Sequence, residues 1–369
     1  MRSASGDEAR KRSFELKDMV EIYGGFTGTE TCREARDWHA NKTILSGDIG
    51  ANDEMKDNSY HVVTGKNLSK ETILDGFTIA KGYADGEGNL SSGGGLYLSA
   101  GSPTLRNLII CGNQARLDGG GLYNEGASPT LINVVLSGNR AHSGGALYNN
   151  GKKGDSSPTL INVTISGNRA DSRGGGLYNN GENGASKPTL TNVILWGNSA
   201  SLQRDKGYDS HEVYNYYASV TVSYSMVQGG IARIKDAKDA GNNLSLADGV
   251  YPRFGKPVHP AKAPTAKGDL RLQAGSPAIN CGNNKALPRG LACDLSGRPR
   301  VIKDTVDIGA YEAPTIVYVN QAAAGAIKDG SSWATAYADL QRALERASVG
   351  DEIWVAKGVY KPTTESGNE

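Results

Sequence analysis

Large side chains are scarce in this chain: four phenylalanines and 7% aromatic residues in 369 positions. A length of this order would ordinarily suggest two or three globular domains. With 49 glycines and a hydrophobic share of only 38%, it reads instead as one elongated, turn-rich β architecture. Charge of either sign is also not in excess. Forty basic residues face 39 acidic ones, for a formal charge of +1. That balance excludes the basic face needed by a nucleic-acid or membrane-surface partner. No stretch approaches the ~20 apolar residues of a membrane-spanning helix, and the opening MRSASGDEARKR lacks the apolar core of a signal peptide. The chain is expected to be soluble, without membrane insertion, and a mature or excised piece of something longer. Four cysteines are too few for a disulfide scaffold. Cys281 and Cys293 flank the loop INCGNNKALPRGLACD and are the candidate bridge if the protein is extracellular. Cys111 occupies a repeat position held elsewhere by Ser137, Ser166 and Trp196, and Cys32 has no evident partner. No CxxC or clustered Cys/His spacing points to zinc.

What the chain does have is a repeat. GGGLY at 93–97, GGGLY at 119–123, GGALY at 144–148 and GGGLY at 174–178 are each followed by PTL and then by NLIICGN, NVVLSGN, NVTISGN or NVILWGN. The separations Leu105–Leu122, Leu131–Leu147 and Leu160–Leu177 are nearly constant. Leu96–Leu105 and Leu122–Leu131 are shorter than Leu147–Leu160 and Leu177–Leu190, and the difference falls in NNGKKGDSS and NNGENGASK. Constant strands with one elastic corner describe a coil whose rungs stack. The apolar runs are short, β-branched and bounded by Gly, Pro and Asn, which excludes helical repeats, and the leucine-rich pattern LxxLxLxxN is absent. The expected fold is an all-β, right-handed parallel β-helix, a solenoid with three strands per coil and rungs ~4.8 Å apart.

Stacking explains the conserved spacing of asparagine. Asn113, Asn139, Asn168 and Asn198 each follow a glycine. They are expected to tolerate a left-handed turn and to bond amide to amide as an internal ladder. Asn107, Asn133, Asn162 and Asn192 form a second column, which reads as a ladder before it reads as a ligand rail. One threonine per rung, at 104, 130, 159 and 189, fits turn chemistry better than a flat ice-binding face. Residues 1–12 are expected to be flexible and 13–312 to form the solenoid. Its core repeats lie at 93–200, and a degenerate end region at 231–312 closes the coil. Residues 313–369 are a separate strand–helix–strand segment.

In that last segment Ala336, Leu340, Ala343, Leu344 and Ala347 recur at helical spacing, opposite Asp339, Arg342, Glu345 and Arg346. This amphipathic helix would cap one end of a stack of coils. The following strand would turn Ile353 and Val355 inward.

The motifs GSPAINCG (275–282), DLSGRPR (294–300) and DIGAYE (307–312) resemble the C-terminal region of bacterial surface and secreted β-helix proteins of the choice-of-anchor Q type, whose fold is pectate-lyase-like. SSWATAYADLQRAL, GDEIWVAKGVYKPT, IYGGFTGTE and TILSGD resemble that family's N-terminal half. The resemblance implies the fold and an extracellular or cell-surface setting, and no catalytic site. The order is inverted here, because the SSWATAYADLQRAL segment follows DIGAYE as in a circular permutation or a tandem array cut in another frame. Ala313–Thr315 span at most ~10 Å, against ~50 Å for about ten rungs. The C-terminal segment should therefore begin a fresh stack and complete the N-terminal edge of the next copy. The expected interface residues are Phe14, Leu16, Val20 and Ile22 on one side, and Val317, Val319, Leu340, Leu344, Ile353 and Val355 on the other. A head-to-tail contact of this kind generates a filament of the chain with itself.

A polysaccharide lyase would need carboxylates for Ca²⁺ and a cationic base in one groove. In SGDIGANDEMKDN, Asp48, Asp53 and Asp57 are the candidate Ca²⁺ ligands, against a solvated acidic loop as the plainer alternative. YADGEGN, with Asp85, Glu87 and Asn89, is a weaker cluster. Neither shows a paired base, the five histidines share no spacing, and no GxSxG elbow occurs. No cofactor is otherwise expected. Three functions follow in order: a non-enzymatic structural subunit or tandem repeat, a surface adhesin or glycan-binding module using the loops 151–157 and 181–187, and a polysaccharide lyase-like enzyme.

Overall fold

The structure is a computed structural model and describes residues 4–51, 54–202, 204–205, 208–209, 211–244, 250–302, 304–347 and 351–362. Its body is a parallel β-solenoid of about six turns. The first wall is a seven-stranded parallel sheet running from Phe14–Glu15 through Val63–Leu68, Leu96–Gly101, Leu122–Ala127, Leu147–Asn150 and Leu177–Asn180 to Val213–Tyr216. The second wall carries the longest strands, Thr104–Cys111, Thr130–Ser137 and Thr159–Ser166. The third is narrow and consists of two-residue strands from Tyr83–Ala84 to Ser199–Ala200.

Each corner has a chemical cause. Proline turns the chain from the first wall into the second. Pro103, Pro129, Pro158 and Pro188 donate no N–H, yet their carbonyls accept from Thr130, Thr159, Thr189 and Thr221 one rung on. Gly112, Gly138, Gly167 and Gly197 make the next corner at φ of 64°, 59°, 72° and 72°, where a side chain would be strained. This revises the expected role of the two asparagine columns. The glycine, not the following asparagine, takes the left-handed turn, while Asn107, Asn133, Asn162 and Asn192 are left-handed themselves at φ 52–57°. The pairing register skips these positions, and their amides hydrogen-bond along the outer side of the wall.

The interior is built from identical residues in register. Leu96, Leu122, Leu147 and Leu177 align as Cα partners, as do Leu105, Leu131, Leu160 and Leu190, and all are fully buried. Each such leucine contributes about 1.5–3 kcal/mol relative to exposure. Between the aliphatic columns runs the predicted ladder. Asn139 donates to Asn168 Oδ1 at 3.0 Å and to the Ile110 carbonyl at 2.9 Å, and its oxygen accepts from Asn113 N at 3.1 Å. The ladder ends on Glu212, whose carboxylate accepts both N–H groups of Asn198.

Two organisational expectations differ from what is observed. Residues 4–10 form a helix, α1 (Ala4–Arg10), instead of a flexible leader. Arg10 is buried, stacks 4.0 Å over the Tyr60 ring and donates to the carbonyls of Asn58 and Tyr83, which ties α1 over the head of the third wall. The end region adds no long run of further coils either. Apart from a last second-wall strand at Ala237–Asp239, it folds back along the outside of the second wall. Thr265 N bonds to Gly138 O, Asn192 donates to Asn283 O, Asn133 to Cys293 O and Trp38 to Leu295 O. The cause is the outward track Ile109, Val135, Thr164, Ile194 and Met226. It is apolar or small, packs on Phe254, Leu270, Leu272, Leu295 and Ile308, and would otherwise face water. The stack is accordingly shorter than ten rungs. Seven first-wall strands at the usual sheet spacing reach ~29 Å.

Asn139→Ala tests the ladder. It leaves the Ile110 carbonyl and the Asn113 N–H without partners in the core, and is expected to cost about 1–3 kcal/mol in urea unfolding. A loss no larger than that of an exposed Asn→Ala control would show the ladder to be energetically idle.

Candidate functional site

The distinctive surface lies at the head of the solenoid. Phe14 pairs with Val63, and so heads the column Val63, Leu96, Leu122, Leu147, Leu177 and Val213. Every other member is buried, but Phe14 is 53% exposed because no described residue stacks on it. Ile22 heads the second column through Leu74 and Leu105, and Leu45 the third through Ile79 and Ile110. Both are only half-buried. Met19, Val20, Phe26 and Ile44 are exposed around them. Among the described residues the strands Phe14–Glu15, Glu21–Tyr23 and Thr43–Ser46 pair on one side only. The opposite end is closed by residues 231–240, with Ile234 buried on the core.

The C-terminal segment forms a small unit of its own. Ile316–Val319 and Glu352–Val355 pair in parallel, with Val317 opposite Ile353 and Val319 opposite Val355. Helix α2 (Leu340–Arg346) covers them, its first turn capped by Asp339 accepting from Gln341 N. The shared core is Val317, Val319, Tyr337 and Ala343, with Leu340, Ile353 and Tyr360 against it. The helix thus caps this two-stranded unit and not a stack of coils. Leu344 and Val355 lie exposed, as do Ile327, Trp333, Trp354 and Val359, and Val355 pairs with buried Val319. The unit does not start beyond the last rung. It leaves the folded-back segment at Ala313 and is tied to it by Thr315 N–Asp351 at 3.2 Å and Arg298–Asp351 at 3.7 Å. Of the expected interface residues, then, Phe14, Val20, Leu344 and Val355 are open. Ile22, Leu340 and Ile353 are half-covered, and Leu16, Val317 and Val319 are buried within the chain itself.

The joint between body and segment is a buried charge cluster that pattern reading missed. Asp294, Arg300, Asp307 and Glu312, all from DLSGRPR and DIGAYE, are nearly inaccessible. Arg300 lies 3.3 Å from Glu312 and donates to the carbonyls of Asp307 and Gly309. Asp294 accepts from Glu312 N and Asp307 from Ala313 N, so the carboxylates hold the backbone where the chain exits. Three carboxylates face one guanidinium. Burial raises Asp294 and Asp307 and, against the opposing pull of Arg300, pushes Glu312 up to about 8.

The candidate Ca²⁺ loop is partly described. Asp53 lies outside the described residues. Asp48 is paired with the Lys81 ammonium at 2.5 Å, and Asp57 accepts from Ala51 N. A lysine thus supplies positive charge beside Asp48, and no group of three or more metal-ligating side chains occurs among the described residues. In the second cluster Asp85 pairs with Arg10. Cys281 and Cys293 are both free thiols, which corrects the expected bridge. The segment between them runs along the solenoid axis, laying Asn283 against Asn192 and Cys293 against Asn133. The loops at 151–157 and 181–187 stack on each other through Lys152–Glu182 and Asp155–Ala185 N.

Two further columns went unread in the repeat, although GGGLYN carries both. Asn124, Asn149, Asn179 and Asn215 form another buried amide ladder. Tyr97, Tyr123, Tyr148 and Tyr178 stack with ring centroids 4.6–5.5 Å apart.

Part of one coil, residues 162–180, matches the repeat of Chlamydia polymorphic membrane proteins. The matched stretch runs from Asn162 through the third-wall corner to Asn180, so it contains one turn of both the inner ladder and the tyrosine stack. No curated protein matches the chain. The repeat and the solenoid together fit a surface-type β-helix protein. Among the described residues no helix is long and apolar enough to cross a membrane.

The charge cluster makes a signed prediction. A carboxylate whose folded pKa is raised stabilises the fold most below its unfolded value, and the contribution is lost as pH rises through about 8. The melting temperature is expected to fall between pH 6 and pH 9, and Glu312→Gln to flatten that fall. An unchanged slope in the variant would remove Glu312 from the effect.

Proposed function

We propose that the chain is a non-enzymatic, extracellular or cell-surface structural protein. In this reading it is one unit of a head-to-tail β-helix assembly, joined either as separate subunits or as a tandem repeat. The observation that carries this is the open head of the solenoid: three interior columns end on Phe14, Ile22 and Leu45 with no described residue stacked above them. Open parallel strand edges and uncovered apolar columns favour addition of further strands. The unit built on Ile316–Val319 and Glu352–Val355 is a suitable addition. Its strands are already parallel, and its free strand carries exposed Trp354 and Val355. With the far end of the solenoid closed by residues 231–240, stacking of one body directly on another is disfavoured, and the C-terminal unit becomes the natural partner of the next copy's head. Such a heterologous contact does not close on itself. The choice-of-anchor Q type resemblance, with its halves in inverted order, supports the same arrangement, since there the segments meet within one unit.

Electron microscopy of concentrated protein is expected to show fibres of regular axial repeat. A chain ending at Glu312 and the variant Phe14→Asp should both remain folded by circular dichroism and both lose fibres. Fibres from the shortened chain would exclude the C-terminal unit as the joint, and monodisperse monomer at all concentrations would overturn the assembly itself.

A further inference from the structure

The cover on the second wall stops short of the first rungs. There a groove of about 820 Å³ opens between the wall and the folded-back segment, within the ~300–1,000 Å³ range of small-molecule sites. Its floor is the start of the outward track, exposed Ile44 with Thr78 and half-buried Ile109, beside the edge of the interior residue Phe77; Val135, Leu270 and Leu295, which are buried, close its inner side. The aliphatic surfaces, with the rings of Trp38, Phe77 and Tyr311 beside them, suit a flexible apolar chain. Lys42, Lys81 and Arg271 also line the groove, with Asp269 as the acidic member of the lining. Arg271 is engaged by Asp269 at 2.6 Å and Lys81 by Asp48. Lys42 makes no ion pair among the described residues and stands exposed on the strand-edge side. The hydroxyls of Tyr311, Thr78 and Ser137 also line the space and have no hydrogen-bond partner among the described residues. An apolar floor, a cation at its lip that is unpaired among the described residues, and idle hydroxyls complement one chemical class, an acyl chain ending in an anion.

We propose that this groove binds a fatty-acid-like amphipathic anion, with the chain along Ile44 and Ile109 and the anionic head at Lys42. The groove is bounded by residues of a single chain, with its lip at Lys42 and Ile44 beside the open strand Thr43–Ser46.

The probe is dodecanoate, followed by isothermal titration calorimetry on the full chain, with dodecanol and acetate as controls. Dodecanoate is expected to bind one per chain. Dodecanol should bind about tenfold more weakly for want of the charge, as one ion pair of ~1.4 kcal/mol implies, and acetate not measurably. Lys42→Glu, on an exposed side chain, should weaken dodecanoate at least as much while leaving dodecanol unchanged. Ile44→Glu should weaken both. Equal affinity for dodecanoate and dodecanol, or indifference to both substitutions, would overturn the proposal. So would a groove that is closed by a second copy, seen as dimer at the titration concentration in light scattering with no heat on adding dodecanoate.

Discussion

Every rung of this protein lies one sheet spacing from the next, and that distance decides which side chains can occupy the interior. A residue pointing inward has its own counterparts directly above and below it. Leucine on leucine satisfies that condition by dispersion and exclusion of water. Asparagine satisfies it because an amide is both donor and acceptor, so a column of amides bonds to itself along the axis. Most other polar groups would leave one end unpaired at every step. The ladder through Asn113, Asn139, Asn168 and Asn198 and the one through Asn124, Asn149, Asn179 and Asn215 are therefore products of the same constraint. The tyrosine stack repeats it on the outer face, with phenol groups partnered by Asn150 and Asn180 from the following rung.

A column that satisfies itself internally is unsatisfied where it ends. At the far end the inner ladder runs into the carboxylate of Glu212, and residues 231–240 cover the aliphatic columns. At the head α1 protects only the third wall, with Arg10 as its anchor. Among the described residues Phe14, Ile22 and Leu45 are left as column heads with nothing stacked above them. The solenoid is polar in the sense that matters for assembly: one end is finished and the other is not.

The second constraint is lateral. The long strands of the second wall are apolar on both faces, and the chain covers the outer face with its own continuation. That return path is fixed by the Asp294, Arg300, Asp307 and Glu312 cluster, whose carboxylates accept backbone N–H groups where the chain turns outward into the C-terminal unit. Burying three carboxylates with one guanidinium is unfavourable by itself. Their backbone hydrogen bonds fix the exit of the chain, and this specificity stands against the cost. Where the return path ends, the groove over Ile44 and Ile109 begins.

The coil, its corners and its inner ladder were legible because each depends on a residue and its copy one repeat away. GGxLY, PTL and GN recur, and recurrence is visible in a linear string. The continuous apolar runs LIIC, VVLS and VILW also carried the information that both faces are buried, a signal of strands covered on two sides. What covers them was not legible. Phe254, Leu270 and Ile308 have no periodicity, and their contacts with Val135 and Ile194 join residues far apart in the chain. For the same reason the cysteines that flank one loop proved to be free, and the helix expected to cap the coils covers Val317 and Val319 instead. By itself the sequence determined the rung, because stacking is a relation between neighbouring repeats. Tertiary structure alone decided which end stays open, where the return segment lies and where the groove forms, because those depend on non-repeating surfaces meeting across the fold.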